Sequence, residues 1–179
     1  MFGFLKDKWG KSEFESLLGG RIQVLYRIAY SYFKNEQTAS DVLQDSVLIA
    51  FKSINKLKDK SKFDCWITTI LVNRCREIIR KNKRVSYEEL NDNVVNLNNA
   101  LWKRNECEYL KVDTKLDVLN LLSKLDEKYR DVIRLKYLGD YTLNEIATVL
   151  VIPLGTVKSR LNTGITRLRE LMEVKDHVV

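Results

Sequence analysis

Very few residues in this chain can interrupt a helix. Only one proline, Pro153, and seven glycines occur in 179 residues, and no regular series of turn residues separates short apolar strands. Proline and glycine are the strongest local breakers of secondary structure, so a chain this poor in them favours helices throughout. A hydrophobic content of 45% beside 31% charged residues is typical of a globular protein. We therefore predict an all-α fold.

The N-terminal part of the chain repeats its apolar residues at helical spacing. A first helix is predicted by Ile22, Leu25, Ile28, Ala29 and Tyr32. A second helix, with Thr38 and Asp41 as its capping box, has an apolar stripe formed by Leu43, Val47, Ala50, Ile54 and Leu57. A third helix is predicted over about 63–82, and its inward side contains Ile67, Leu71, Cys75 and Ile78.

The second predicted helix also has a polar side opposite its apolar stripe. Its members recur at i, i+3, i+4 and i+7 and are Asp41, Gln44, Asp45 and Leu48. We call these four residues the acidic face. It combines acidic and amide groups with one exposed leucine, which is unusual on a chain whose net charge is +7.

Charge divides the chain into three segments. Residues 1–84 carry 17 Lys and Arg against 9 Asp and Glu, residues 85–117 carry 4 against 7, and residues 118–179 carry 10 against 8. The overall charge and a pI near 9.2 point to a polyanionic partner, either nucleic acid or a membrane surface. We predict two small helical domains, 1–84 and 114–179, joined by a flexible acidic linker at 85–113 that is extended or only locally helical.

The C-terminal segment has the punctuation of a helix-turn-helix. Leu116, Leu119 and Leu122 predict a short helix, and Asp126 and Gly139 bound the next one as N-cap and C′ residue. Thr142 and Glu145 form a capping box for a further helix, and Pro153 opens the last. Two helices joined by a short turn in this way are typical of DNA-binding proteins.

The last helix has two sides. Its buried side is predicted to contain Val157, Leu161, Ile165, Leu168 and Met172. Its outward side, which we call the recognition face, contains Thr156, Lys158, Ser159, Asn162, Thr163 and Arg167. These groups suit base edges and phosphates, and no acidic residue occurs between Pro153 and Arg169. Taken alone, the same pattern also fits the solvated side of an ordinary helix pair.

Longer stretches resemble a known family. "LYRIAYSYFKNEQTASDVLQDSVLIAF" and "FDCWITTILVNRCREIIRKNKR" resemble the second conserved region of extracytoplasmic-function (ECF) sigma factors, the small members of the sigma-70 family. "LSKLDEKYRDVIRLKYLGDYTLNEIATVLVIPLGTVKSRL" is similar to their fourth region. The resemblance covers about 25–84 and 118–172. It implies a transcription initiation factor that binds core RNA polymerase and recognises promoter DNA.

The resemblance also implies roles for particular residues. The acidic face would dock on the β′ clamp helices, with the polymerase β subunit as a further contact. The melted non-template strand of the −10 element would be held by Lys56, Lys58, Lys60, Lys62, Trp66, Asn73, Arg74, Arg76 and Arg80. Duplex DNA of the −35 element would be contacted by Thr156, Lys158, Ser159, Arg160, Asn162, Thr163 and Arg167. The acidic linker would pass through the RNA exit path of the polymerase.

Some of these residues also have structural interpretations. Trp66 could be a core residue instead of a stacking platform, Asn73 a solvated helix residue, and Arg160 a partner of helix carbonyls. Three positions depart from the family pattern. Asp126 replaces a usual proline, Val151 places a β-branched residue in the turn, and Thr163 replaces a frequent cation.

The sequence lacks the residues expected of an enzyme, a metalloprotein or a membrane protein. A single histidine, His177, and three cysteines without metal-ligand spacing, Cys65, Cys75 and Cys107, predict neither catalysis, nor a cofactor, nor a zinc site. No apolar run is long enough for membrane insertion, so we expect a cytoplasmic protein. The family resemblance implies an anti-sigma factor as partner, usually membrane-anchored. A stand-alone helix-turn-helix regulator, or an adaptor held by partner helices, is the alternative.

Overall fold

The structure is a computed structural model that describes residues 10–89 and 119–176, with side chains described at 10–82 and 119–173. The N-terminal bundle contains α1 (Lys11–Gly19), α2 (Ile22–Phe33), α3 (Glu36–Ser53) and α4 (Phe63–Glu89). Two 3-10 turns, Ile54–Lys56 and Lys60–Lys62, join α3 to α4. The C-terminal bundle contains a helical stretch at 119–123, then α5 (Glu127–Tyr137), α6 (Leu143–Leu150) and α7 (Leu154–Asp176). The predicted all-α class is confirmed.

The start of α3 differs from the prediction. Asn35, and not Thr38, is the N-cap, and its side chain accepts a hydrogen bond from the backbone N–H of Thr38 at 2.8 Å. The preceding Lys34 ends α2 in the left-handed region (φ 52°). The capping box predicted at Thr38 and Asp41 is therefore wrong, because the tight turn between α2 and α3 places an amide side chain three residues earlier.

Helix α4 is longer than predicted. It continues beyond residue 82 to Glu89, so the first five residues of the predicted linker are helical. The remainder of that linker, 90–113, lies outside the described residues, as do Leu116, Cys107 and His177. Within the described ranges, no helix is sufficiently long and apolar to cross a bilayer, and no group of three or more His, Cys, Asp or Glu side chains is placed to hold a metal ion.

The residues that start and end the helices of the C-terminal bundle are largely as predicted. The Thr142–Glu145 capping box forms completely: the Thr142 hydroxyl accepts from the Glu145 N–H, and a Glu145 carboxylate oxygen accepts from the Thr142 N–H at 2.7 Å. The Thr142 N–H and hydroxyl both donate to the Glu145 carboxylate, and these two bonds lower its pKa. After α5, the left-handed residue is Asp140 (φ 56°) and not Gly139. Glycine is needed at 139 because a Cβ there would approach the Tyr141 ring within 2.6 Å.

The buried side of α7 was predicted with one error. Val157 and Leu161 are buried, and Ile165 and Leu168 pack partly against the core, but Met172 is 46% exposed. Helix α7 has 23 residues and the α5 helix that it packs against has 11, so α7 is about 18 Å longer. Arg167 of α7 binds Asp126 at the start of α5, so the last turns of α7, which contain Met172, extend past the N-terminal end of α5.

The two bundles pack against each other and share one continuous core. Helix α4 contacts α2 and α3 within its own bundle and α6 of the other bundle. Cys75 of α4 is completely buried in this core. Burial raises the pKa of its thiol to about 12. An acidic group that stays neutral in the folded state and ionises more easily when unfolded makes stability fall as pH rises.

We expect Cys75 to weaken the fold at alkaline pH. The contribution of the neutral Cys75 thiol to the free energy of unfolding is complete below the unfolded thiol pKa of about 8.5 and is lost towards pH 12. Over this range the free energy of unfolding falls by up to about 1.4 kcal/mol per pH unit. Urea unfolding at pH 8, 9 and 10 measures how the free energy of unfolding changes with pH. In Cys75→Ala the slope should be smaller than in the wild type. Identical slopes in both proteins would contradict this assignment.

Candidate functional site

The acidic face lies on the outside of α3. Asp41 and Gln44 are exposed, Asp45 is half-exposed, and Leu48 is 56% exposed, which is high for a leucine. Beside it lies a shallow apolar cavity of about 320 Å³, lined by Ile22, Leu43, Gln44, Val47 and Leu48. The sequence pattern did not predict this cavity, because Ile22 reaches it from α2 and only the packing of α2 on α3 brings the two helices together.

One member of the acidic face has an arginine partner. Arg74 of α4 donates from Nη2 to Asp45 Oδ2 at 2.8 Å and from Nη1 to Glu77 Oε2 at 2.9 Å. These two carboxylates raise the pKa of Arg74. Arg74 therefore joins α3 to α4 at the surface, beside the cations that were predicted to hold DNA.

The predicted single-strand site follows one exposed side of α4 and the turn before it. Lys56, Lys58, Lys60 and Lys62 are all exposed, and Lys60 pairs with Glu13 of α1. Trp66 is half-buried, with its ring tilted against Phe63 at a centroid distance of 6.1 Å. Asn73 and Arg80 are exposed. Trp66 therefore packs on the core through one side while part of its surface remains accessible.

The recognition face of α7 is exposed along most of its length. Lys158, Ser159, Asn162, Thr163 and Arg167 are exposed, and Thr156 and Arg160 are intermediate. The Ser159 hydroxyl donates to the Thr156 carbonyl at 3.1 Å. Arg167 donates to Asp126 at 3.1 Å, and its guanidinium lies 4.8 Å from the centre of the Tyr129 ring. Asp126, predicted as a side-chain N-cap of α5, makes no cap bond and instead binds this arginine.

The turn between α6 and α7 places Val151 in an unfavourable conformation. Val151 has φ 54° and ψ 51°, in the left-handed region, and is 81% exposed. Its N–H caps the end of α6 by donating to the Thr148 carbonyl. A β-branched residue in this region is costly, so the turn keeps a conformation that glycine or asparagine would adopt more easily.

A buried ionic cluster joins the two bundles and was not predicted from the sequence. We call Tyr32, Arg76, Asp131 and Arg134 the inter-bundle cluster. Asp131 of α5 is 0% exposed. It accepts from Tyr32 at 2.6 Å, from Nε and Nη2 of Arg76 at 2.9 and 2.6 Å, and from Arg134 at 3.2 Å. Burial and the nearby Asp131 raise the pKa of Tyr32 well above its ordinary value.

Further polar contacts surround this cluster. Arg134 donates to the Ser31 carbonyl at 2.9 Å, and its guanidinium lies 3.9 Å from the centre of the Tyr32 ring. On α4, the Thr68 hydroxyl lies 2.5 Å from the Tyr141 hydroxyl. The Arg21 guanidinium also faces the Tyr141 ring, at 5.2 Å from its centre. The two bundles are thus held together by hydrogen bonds and charges as well as by apolar packing.

Family models match both bundles of this chain. The model of sigma-70 region 2 matches residues 21–85, and that of sigma-70 region 4 matches residues 121–170. Together these ranges cover more than half of the chain. The first contains α2, α3 and most of α4, and the second contains α5, α6 and most of α7.

Individual proteins match over most of their length. The chain is 30% identical to the RNA polymerase sigma factor SigV of Bacillus subtilis over 154 residues, covering 86% of this chain and 87% of that protein. It is 29% identical to the ECF RNA polymerase sigma factor SigW of the same organism, covering 82% of this chain and 81% of SigW.

Two solved structures share the fold. The sigma factor RpoE from Bartonella quintana, in complex with the anti-sigma factor NepR, matches with a TM-score of 0.70 at 23% identity, covering 89% of this chain and 98% of RpoE. CnrH, in complex with the cytosolic domain of CnrY, matches with a TM-score of 0.68 at 20% identity, covering 92% and 90%.

We expect Val151→Asn to stabilise the protein by about 1 kcal/mol, because asparagine adopts the left-handed region with less strain. Val151 is so exposed that the change removes little packing. Thermal or urea unfolding measures the difference. Alanine, unlike asparagine, has no preference for the left-handed region. The control Val151→Ala should therefore stabilise the protein much less. Equal stabilisation by both variants would mean that backbone strain is not the cause.

Proposed function

Because this chain belongs to the ECF group of the sigma-70 family and is an RNA polymerase sigma factor, we propose that its two bundles divide promoter recognition between them. Core RNA polymerase and promoter DNA are the partners that the two sigma-70 regions imply. Sigma factors are initiation factors without chemistry of their own. The observation that carries the proposal is the coexistence of an exposed acidic face and an exposed recognition face on one chain that matches both regions.

The acidic face is proposed to dock on the β′ clamp helices. Its carboxylates offer charge complementarity to basic residues, and Leu48 with the adjoining cavity offers an apolar site for one partner side chain. A combination of an apolar centre with a polar rim is typical of a specific protein interface. The β subunit is a further proposed contact, made by the C-terminal bundle.

The exposed side of α4 and the lysine turn before it are proposed to hold the melted non-template strand. Trp66 offers the accessible part of its ring, Asn73 an amide, and the exposed Lys56, Lys58, Lys60, Lys62 and Arg80 a positive surface. Arg74 and Arg76 are proposed to join this surface, although Arg74 pairs with Asp45 and Glu77 and Arg76 pairs with Asp131. Aromatic and cationic groups in one groove suit unpaired bases and their phosphates. The energy of capturing flipped bases would offset part of the cost of strand opening.

The recognition face is proposed to lie in the major groove of the −35 element. Lys158, Ser159, Asn162 and Thr163 would approach base edges, and Thr156, Arg160 and Arg167 would contact phosphates. An exposed second helix of a helix-turn-helix is the element that enters the major groove in this class of protein. The proposed division is 1–84, 85–113 and 114–179, with the first five linker residues forming the last part of α4.

An anti-sigma factor is proposed as regulator. The fold match to RpoE, whose structure was solved in complex with an anti-sigma factor, supports a partner of this kind. Membrane anchoring of that partner is proposed from the family resemblance alone.

A stand-alone regulator is not favoured. Such a protein would need only a helix-turn-helix, whereas residues 21–85 match sigma-70 region 2. The acidic face would also have no role in a protein that binds duplex DNA without polymerase.

We expect Leu48→Arg to weaken association with core polymerase at least about tenfold, because it places a cation at the centre of the acidic face. Leu48 is a sharper test than Asp45, since Asp45 pairs with Arg74 and its loss would also disturb α4. Co-purification and a binding titration with core polymerase measure the effect. The control Ser16→Arg places the same cation at an exposed position of α1, outside the surfaces proposed to meet polymerase. Equal affinities of the two variants would exclude α3 as the docking site.

We expect Lys158→Ala to weaken binding of polymerase holoenzyme to duplex promoter DNA while leaving core binding unchanged. Removing a cation from the recognition face reduces the number of counterions released on binding, so the slope of log affinity against log salt should become less steep. A salt titration of holoenzyme on an upstream promoter fragment measures it. Lys124→Ala removes an exposed lysine outside the recognition face and should leave the slope unchanged. A parallel loss of core binding in Lys158→Ala would show a structural role instead.

A further inference from the structure

We propose that Glu13 of α1 is a positioning residue for strand capture. It holds Lys60, and with it the lysine turn at residues 54–62, in the shape that receives the melted strand. This inference rests on the proposed role of the turn and of α4 in strand capture, and it assigns a part in that role to α1. The match to sigma-70 region 2 begins at residue 21, so α1 lies outside it.

Helix α1 has one side on the bundle and one side in solvent. Phe14 is buried and Leu17 packs partly against the core, whereas Glu15 is exposed. Glu13 precedes Leu17 by four residues and is partly buried on the same side of the helix, where an apolar residue is more usual. A carboxylate at such a position needs a partner, and it pairs with the Lys60 ammonium.

The neighbouring Phe14 contacts both helices that flank the lysine turn. Its ring meets the ring of Phe51, near the end of α3, edge-on at a centroid distance of 5.3 Å. It meets the ring of Phe63, the first residue of α4, in the same way at 5.8 Å. Edge-to-face aromatic pairs at such distances are favourable. Two adjacent residues of α1 therefore contact the elements on both sides of the turn and Lys60 within it.

The two halves of the lysine turn are held differently. Ile54 and Leu57 are buried, so the first half is attached to the core by its own side chains. Residues 58–62 are all exposed. An exposed segment with few apolar contacts opens at a low free energy. The second half of the turn is therefore the part whose shape depends on an additional contact.

Asp59 gives this second half its local shape. Its carboxylate accepts hydrogen bonds from the Ser61 N–H at 3.0 Å and from the Ser61 hydroxyl at 2.8 Å. Its carbonyl accepts from the Lys62 N–H at 3.2 Å. These three bonds lie within the turn and leave its attachment to the bundle to other contacts. The pair between Glu13 and Lys60 supplies such an attachment to α1.

A weak contact is sufficient for this role. An exposed ion pair contributes little to the global stability of a protein. Opening of residues 58–62 alone breaks few other contacts, so the same pair has a larger relative effect on the order of the turn. A turn that already has its bound shape avoids the entropic cost of being ordered when the strand arrives. We therefore expect the pair to favour the ordered turn about two- to fivefold.

The loss of the Glu13 charge has two opposed effects on DNA binding. The chain becomes more positive, which strengthens its general attraction to DNA. The turn becomes less ordered, which weakens capture of the strand. The direction of the change therefore separates positioning from general charge.

The test compares Glu13→Gln with the control Glu15→Gln. Both variants replace a carboxylate on α1 by an amide of the same shape and change the net charge equally. Glu15 is exposed and pairs with Lys11 of its own helix. Hydrogen exchange of the Ser61 and Lys62 amides, followed by NMR on the full-length chain, measures the order of the turn. We expect exchange about two- to fivefold faster in Glu13→Gln and unchanged in Glu15→Gln.

A double-mutant cycle establishes that Glu13 acts through Lys60. In a Lys60→Gln background the partner is already absent, so adding Glu13→Gln should not accelerate exchange further. An equal acceleration with and without Lys60 would overturn the proposed role of Glu13.

The second measurement follows strand opening by polymerase holoenzyme. The DNA is a duplex selected from random sequences by its binding to wild-type holoenzyme, and permanganate reactivity reports unpaired thymines. We expect the open fraction to fall about two- to fivefold in Glu13→Gln, with core association unchanged, and to stay equal or rise slightly in Glu15→Gln.

The remaining outcomes separate this inference from the function on which it rests. If both variants open DNA equally well, or if exchange accelerates in Glu13→Gln without any loss of opening, positioning by Glu13 is wrong. If wild-type holoenzyme opens none of the selected DNA, the proposed function itself is wrong.

Discussion

The arrangement of the whole molecule depends on one buried carboxylate. Asp131 of α5 is 0% exposed, and it accepts hydrogen bonds from Tyr32 of α2, Arg76 of α4 and Arg134 of its own helix. A charge that has lost its water is tolerable only while all of its donors stay in place. This requirement restricts the position of α5 against α2 and α4. The surfaces that stay exposed and those that are covered follow from it.

The proposed binding surfaces differ in how far they are exposed. The acidic face on α3 and the recognition face on α7 are exposed in the packed state, whereas Arg76 on α4 is held by Asp131. A sigma factor must bind polymerase and duplex DNA before it meets unpaired bases, which appear only after melting.

Local patterns were sufficient for most of the secondary structure and for the family. The Thr142–Glu145 capping box and the helix opened by Pro153 are read from a few neighbouring residues, and both were confirmed. The apolar stripe predicted for α3 is buried, but its last two members, Ile54 and Leu57, lie beyond the end of that helix at Ser53. Two predictions failed because they depended on where elements end: Asn35 is the N-cap in place of Thr38, and Met172 lies beyond the N-terminal end of α5. The residue roles in polymerase and DNA binding stay predictions.

The sequence by itself determined the helices, the helix-turn-helix and the acidic and recognition faces, because helical periodicity and caps depend on residues within a few positions of each other. Only the tertiary structure decided what Arg76 binds. In the sequence it is one cation in a basic run, and Asp131 is 55 residues away on another helix. Their pairing arises when two bundles pack and exclude water, which turns a weak surface attraction into a buried contact. Local spacing carries no information about such a contact.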